Sequence, residues 1–177
     1  MAKNKETVLQ EKLFELLKSV IKEPYYTGME VAVPYKHVYL PSEQKPKLQI
    51  WCFKQDLVIY KPLFSEKPEI NGFEVSLKGD PGKKGIPYVI VEIKNGQPQT
   101  DNILAYSQKA EMIKSIFPYC RYIMLVNEKC HPRTYRLGTI FNEIIHLKDD
   151  NDQKETETIK RKVLSHLKEA EELVSRM

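Results

Sequence analysis

At 177 residues, 41% hydrophobic and 29% charged, the chain has the balance of one soluble globular domain with room for a full core. It holds no run of about 18 apolar residues, which excludes a membrane-spanning helix, and its opening MAKNKETVLQ lacks the apolar core of a secretory leader. A net charge of +4 permits a polyanionic partner without demanding one, and three cysteines (Cys52, Cys120, Cys130) with no C-x-x-C spacing favour reduced cytoplasmic thiols over disulfides or zinc.

Residues 5–22 place Leu9, Leu13, Leu16, Leu17 and Val20 on one stripe at helical spacing, and Pro24 ends that helix. MEVAVPY, 29–35, alternates as a strand. Residues 36–47, with Pro41 and Pro46, read as a loop. QIWCFKQDLVIYKP, 49–62, reads as a long strand. Strict alternation puts Trp51, Phe53, Leu57 and Ile59 on one face and Ile50, Cys52, Asp56, Val58 and Tyr60 on the other. Residues 61–87, rich in Pro, Gly and Lys and containing GDPGKKG, read as an insertion between two strands, with a short strand near Phe73–Leu77.

YVIVEIK, 88–94, is the next strand. TDNILAYSQKAEMIKSIFP follows with Ile103, Tyr106, Ala110, Ile113 and Phe117 at helical spacing, Thr100 or Asp101 as its cap and Pro118 as its stop. RYIMLVN, 121–127, is again an apolar strand, so strand, helix and strand form a crossover unit with parallel neighbours. Residues 133–147 add one more strand or a short helix. The acidic DDNDQKE, 149–155, reads as a linker, and 155–177 as an amphipathic helix with Ile159, Val163, Leu167, Ala170 and Val174 on one face, docked on the body or on a partner. The expected fold is α/β: a mixed central sheet flanked by helices over 1–148, followed by a linker and amphipathic helix over 149–177.

Chemistry concentrates at the end of YVIVEIK. Side chains two apart on a strand share a face, so Glu92 and Lys94 stand side by side at the rim of a buried strand. Two other acid-x-Lys tripeptides exist, Glu43-Gln-Lys45 and Asp152-Gln-Lys154, but polar surroundings and no strand fix their side chains. An earlier strand carries Asp56. Two converging carboxylates suit Mg²⁺, a hard cation that takes oxygen ligands and keeps waters. Such a metal polarises a phosphodiester and lowers the pKa of a bound water, while a neighbouring Lys positions that water and stabilises charge on the phosphate. Asp56 and Glu92 supply the carboxylates, the Ile93 carbonyl a further ligand, and Lys94 the cation.

The ordered set Asp56…Glu92-Ile-Lys94, with ETVLQEKLFELL, MEVAV, QDLVIY, VIVEIK, NILAY and RYIMLVN around it, resembles the PD-(D/E)xK nuclease superfamily of restriction-endonuclease-like fold. Over roughly residues 5–127 it is most similar to the N-terminal nuclease domain of type I restriction enzyme R subunits and their stand-alone relatives. The resemblance implies Mg²⁺-dependent cleavage of DNA, with Mn²⁺ able to substitute, and an acid on the first helix. Glu6, Glu11 and Glu15 compete for that place; at 100° per residue only Glu6 lies on the side of Leu9, Leu13 and Val20. The family's Q-x-x-x-Y appears as Asn102-Ile-Leu-Ala-Tyr106, one methylene short at its first position, with Gln108 on another helical face. Gln55 replaces the proline usual before the first acid. No G-x-x-x-x-G-K-[ST] is present, so no nucleotide triphosphate is expected on this chain.

The site expected from these readings is Asp56, Glu92 and Lys94, supported by Glu6, Asn102 and Tyr106, with Lys83 and Lys84 of the GDPGKKG loop meeting phosphate. DNA is the expected partner, with a homodimer through the last helix or a larger restriction or repair complex as further assemblies and no membrane. Two other readings stand beside this one. Glu92 and Lys94 also read as a structural ion pair, and the chain as a DNA- or protein-binding module that keeps the nuclease fold without cutting.

Overall fold

The computed structural model describes residues 5–41, 46–63, 69–70, 73–80, 82–127, 130–148 and 152–177. In chain order these form α1 (Lys5–Val20), β1 (Tyr26–Leu40), β2 (Lys47–Pro62), β3 (Glu69–Ile70), β4 (Phe73–Gly79), β5 (Gly85–Asn95), α2 (Thr100–Ile116), β6 (Arg121–Asn127), α3 (Pro132–Leu137), β7 (Glu143–His146) and α4 (Gln153–Ser175). The sequence expected a loop over 36–47, but β1 runs on to Leu40 and β2 already starts at Lys47. Pro34 does not end β1 because β2 is the only named strand that β1 pairs with among the described residues, its other edge meeting the Lys83–Lys84 segment at Ala32, and an edge strand tolerates a residue that cannot donate. The Glu43-Gln-Lys45 tripeptide lies outside the described residues.

All seven strands belong to one mixed sheet. β2 is its spine. One edge of β2 pairs antiparallel with β1 along its length. The other edge is shared: Lys47–Cys52 pair parallel with β4, and Leu57–Pro62 pair antiparallel with β5. The insertion between β2 and β5 therefore extends the sheet through β4 and β3. β5, β6 and β7 run parallel, with α2 as the crossover between β5 and β6. Residues 132–147 supply both α3 and β7, where the sequence left a helix or a strand open.

Helices cover both faces. Leu9, Leu13 and Leu17 of α1 and Ile159, Val163, Leu167 and Ala170 of α4 share one core with Leu57, Val91 and Ile93. Ile103, Ala110 and Ile113 of α2 share the other with Val31, Val58, Ile90, Tyr122 and Met124. Of the apolar stripe of α4, Ile159, Val163, Leu167 and Ala170 are thus buried in the chain's own core, whereas Val174 is exposed. Cys52, Cys120 and Cys130 are buried free thiols. No helix among the described residues is long and apolar enough to cross a membrane.

Strict alternation along β2 fails at one place. Phe53 packs on the α2 side, yet Leu57 and Ile59 pack on the α1/α4 side. β1 breaks at the matching point: Met29 faces α1/α4 and Val31 faces α2, and between them Glu30 takes a left-handed φ of 53°. The register is unchanged across the break, from Met29↔Leu57 to Val31↔Gln55. Both strands therefore turn over together at Glu30 and Asp56.

β4 is anchored where β2 leaves β5. Gly79 adopts φ +92°, and a Cβ there would lie 2.0 Å from the Cys52 carbonyl oxygen. The next residue locks the joint: Asp80 N–H donates to Cys52 O at 3.1 Å, and the Lys54 N–H donates to Asp80 Oδ2 at 2.8 Å. Gly82 also has positive φ, but nothing lies within 4 Å of its Cβ position. We expect Gly79→Ala to lower the thermal midpoint by at least about 5 °C, with clash and backbone strain costing about 2 kcal/mol or more. Gly82→Ala should cost only about 1 kcal/mol of backbone strain. Thermal unfolding of both variants followed by circular dichroism checks this contrast.

Candidate active site

The break at Asp56 builds the site. The last β2–β5 pair is Leu57↔Val91. Beyond it β2 diverges, and the Ile93 N–H, left without a ladder carbonyl, donates to Asp56 Oδ2 at 2.8 Å. A strand residue directs its N–H and C=O to the same edge, so the Ile93 carbonyl faces the same gap, while the Ile93 side chain is buried in the α1/α4 core. Gln10 of α1 holds the divergent backbone by donating its Nε2 to the Asp56 carbonyl oxygen.

Three carboxylates from three elements converge on one ammonium. Lys94 Nζ lies 3.1 Å from Glu92 Oε1, 3.4 Å from Glu6 Oε1 and 3.7 Å from Asp56 Oδ2. Glu6 is held at the end of β5 by a second contact, accepting the Asn95 N–H on Oε2 at 3.3 Å. Of the three first-helix glutamates, it is Glu6 that reaches Lys94. Tyr106 offers its ring face to the same ammonium, 4.7 Å from the centroid, a cation–π contact.

Other expected residues stand apart from this cluster. Asn102 lies one turn before Tyr106 on α2 but is solvent-exposed, and no hydrogen bond or ion pair joins it to the four charged groups. Gln108 is exposed as well. The Lys83–Lys84 segment docks on β1, where Ala32 N–H donates to Lys83 O at 2.9 Å. Lys84 Nζ turns back to its own loop, 3.4 Å from the Asp80 carbonyl oxygen.

Two residues that sequence reasoning did not assign to the site line its floor. Gln55 is 1% exposed and Glu92 4%. The Tyr122 hydroxyl lies between them, 2.6 Å from Gln55 Oε1 and 3.4 Å from Glu92 Oε2. Gln55 Nε2 donates to the Lys54 carbonyl at 2.8 Å, so its buried amide is satisfied at both ends, as a buried polar group must be. Alternation would have turned Gln55 away from Asp56's face; the break turns both toward the gap. The available signal was a polar Gln inside an apolar strand, directly before the acid.

Burial is the main force on the Glu92 carboxyl, and the Asp56 charge adds to it. Together they push its pKa up to about 7 against the opposing pull of Lys94. Burial also raises Asp56, with the Ile93 N–H and Lys94 holding it back. Burial works against the Lys94 ammonium, but the charges of Glu92, Asp56, Tyr106 and Glu6 outweigh it and hold Lys94 above its ordinary range. Among the described residues no three His, Cys, Asp or Glu side chains are grouped to hold a metal ion by themselves. Mg²⁺ asks for less: one or two carboxylates, with waters and phosphate completing the shell. Asp56, Glu92 and the Ile93 carbonyl are hard oxygen donors of that kind, and the mutual repulsion of the two carboxylates is what a divalent cation would relieve.

An acid whose pKa rises from 4.5 to about 7 on folding binds more protons folded than unfolded between those values. Its contribution to stability therefore falls as pH rises across that window, and the cost is complete above about pH 7. With chelator present, wild-type stability in urea should decline from pH 5 to pH 8 more steeply than that of Glu92→Gln, whose side chain stays neutral. Equal slopes for the two proteins would contradict the assignment.

No family model matches the chain, and no curated protein matches it in sequence. Its fold is similar to that of BbvCI, a restriction endonuclease, in a structure described as the native A2B2 tetramer at low resolution. The TM-score is 0.50 at 15% sequence identity, over 81% of this chain and 58% of that chain. The chain thus spans less than two thirds of the length of the protein it matches. At this identity the likeness concerns the fold alone: a mixed sheet with helices on both faces and a C-terminal helix, the restriction-endonuclease-like fold.

Proposed function

We propose that the chain is a metal-dependent endonuclease that hydrolyses DNA phosphodiester bonds. One observation carries this reading: Asp56, Glu92 and Glu6, from three separate elements, converge on Lys94 at a gap that the sheet opens by breaking its own pairing. Asp56, Glu92 and the Ile93 carbonyl would hold Mg²⁺, or Mn²⁺ in its place. Bound there, the metal would supply Lewis-acid polarisation of the phosphate and a water of lowered pKa. Lys94 orients the attacking water and stabilises charge on the phosphate oxygens. Glu6 and Tyr106 fix the Lys94 ammonium, Glu6 through charge and Tyr106 through its ring. Gln55 and Tyr122 hold the Glu92 carboxylate from below. Water is the nucleophile, so no covalent intermediate is required.

Within the fold we place the chain beside the N-terminal nuclease domain of type I restriction R subunits and their stand-alone relatives. The support is the order of MEVAV, QDLVIY and VIVEIK on β1, β2 and β5, with a glutamate from the first helix at the site. The neighbour in fold is described as an A2B2 tetramer, which supports an assembly with further chains as the working form.

A second reading has its own observation. The Lys94 ammonium is neutralised by the chain's own carboxylates, and burial first, then the Asp56 charge, raises Glu92 to about 7, so its carboxyl is about half protonated at neutrality. That is how a fold retained as a non-cleaving binding module would look. The two readings part in a single experiment. In calorimetry the wild type should bind Mg²⁺ or Mn²⁺, and supercoiled plasmid should be nicked in parallel. Asp56→Ala and Glu92→Ala should lose both metal heat and nicking, while Lys94→Ala should keep the metal heat and lose at least about 10²-fold in rate. If the wild type neither binds metal nor cuts, and Glu92→Ala changes only stability, the endonuclease reading is wrong and the binding module stands.

A further inference from the structure

Away from the carboxylates, the sheet carries an aromatic and basic surface that the proposed hydrolysis does not use. Trp51 is the chain's single tryptophan, and 38% of its surface is exposed on a strand flanked on both edges. Directly across from it stand Lys36 of β1 and Lys78 of β4. Cross-strand partners point the same way, so the Trp51 side chain stands between two lysine side chains on one face, on strands spaced about 5 Å apart. Both lysines are exposed, and among the described residues neither meets a carboxylate. An unpaired polar environment of this kind is unusual for tryptophan, which normally buries its large ring.

The surface continues toward the site. Beside Lys36, β1 carries one extra residue against β2: Pro34 pairs with Cys52 and Lys36 with Trp51. The extra residue is Tyr35. A bulge re-aims its side chain, and here the Tyr35 ring stacks on Phe53 at 4.2 Å, two residues on from Trp51. Lys109 of α2 lies 5.4 Å over Phe53 and 5.2 Å over Tyr106, and Tyr106 in turn faces Lys94. Contacts between rings and lysines thus run from Phe53 through Lys109 and Tyr106 to Lys94 at the candidate active site, with Trp51 two residues before Phe53 on β2. Along β2, Trp51 is five residues from Asp56, or about 17 Å.

We infer that this row, Lys36–Trp51–Lys78 with Phe53 and Tyr35, seats a single-stranded stretch of DNA beside the site, a specification that rests on the nuclease reading above. An exposed indole on a flat sheet can stack on a base only where that base is unpaired, while duplex DNA offers such a surface its phosphates alone. Stacking platforms bordered by lysine are how single strands are held without sequence readout. The proposed substrate is therefore DNA with an unpaired segment next to the scissile bond, such as a flap, a gap or a free strand.

The lone tryptophan makes the test direct. In chelator, where no cleavage occurs, intrinsic fluorescence of the full chain is titrated with a thymidine oligomer of about 15 nucleotides and with duplex of equal length. Quenching by the single strand at lower concentration than by duplex is expected. Anisotropy of a labelled oligomer then compares variants: Trp51→Ala should weaken single-strand binding about tenfold or more, and Trp51→Phe should restore most of it. Lys36→Ala with Lys78→Ala should reduce the slope of log affinity against log salt by about 1.4. No quenching, equal affinity for duplex, or unchanged binding by Trp51→Ala overturns the inference. Binding is read without cleavage, so a wild type that binds single strands but never cuts leaves this inference intact and removes the nuclease reading. A wild type that cuts, with Trp51→Ala equal to it on flapped and gapped DNA, does the reverse.

Discussion

The molecule depends on one substitution of partners: a side-chain carboxylate takes a hydrogen bond that a backbone carbonyl would otherwise accept. Had β2 and β5 stayed paired past Leu57 and Val91, the Ile93 N–H would have continued the ladder and no gap would exist. Asp56 accepts that N–H instead. Because a buried N–H left unmet is costly, Asp56 lets the strands part without leaving a donor orphaned. The turnover at Glu30 and Asp56 brings Gln55 and Asp56 toward the same gap, and β4 takes up the edge of β2 that β5 has released. The opening is thus part of the sheet's design, with a satisfied backbone on either side.

Charge balance explains why so polar a spot survives at low exposure. A lone buried carboxylate would stay protonated, and a lone buried ammonium would lose its proton. Lys94 remains charged because several acids surround it, while Glu92 is held near the point of ionisation by burial, by Asp56 and by Lys94 at once. A group so poised responds strongly to any added cation.

Much of this was legible in the sequence because periodicity is local. The stripe of α1, the crossover unit β5–α2–β6 and the side-by-side placement of Glu92 and Lys94 follow from spacing alone, and 100° per residue suffices to prefer Glu6 over Glu11 and Glu15. What spacing could not supply was non-local. The faces of β2 were read as strictly alternating because a break in alternation is set by the partner strand, here by the left-handed Glu30. Residues 36–40 read as loop because Pro41 and Pro46 weighed on them, whereas the pairing of β1 with β2 decided otherwise. Gln55 and Tyr122 are 67 positions apart, and no window shorter than the fold brings them together. Asn102 stood out through its spacing to Tyr106, but a helix position alone does not say how far a short amide reaches.

The packing of α4 sets an order on events. Leu9 and Leu13, which hold the helix that presents Glu6, share their core with Ile159, Val163, Leu167 and Ala170. Segments some 150 residues apart must meet before that face of the sheet is dry, and contacts of such separation form late because loop closure precedes their reward. On the ribosome, a chain that has emerged only through β6 possesses Asp56, Glu92 and Lys94 but lacks the helix that seals α1 in place. Its charged cluster would be exposed to water and loosely held. Completion of α4 therefore times the maturation of the candidate site: its charged groups are encoded in α1, β2 and β5 and become rigidly held only once α4 has been made.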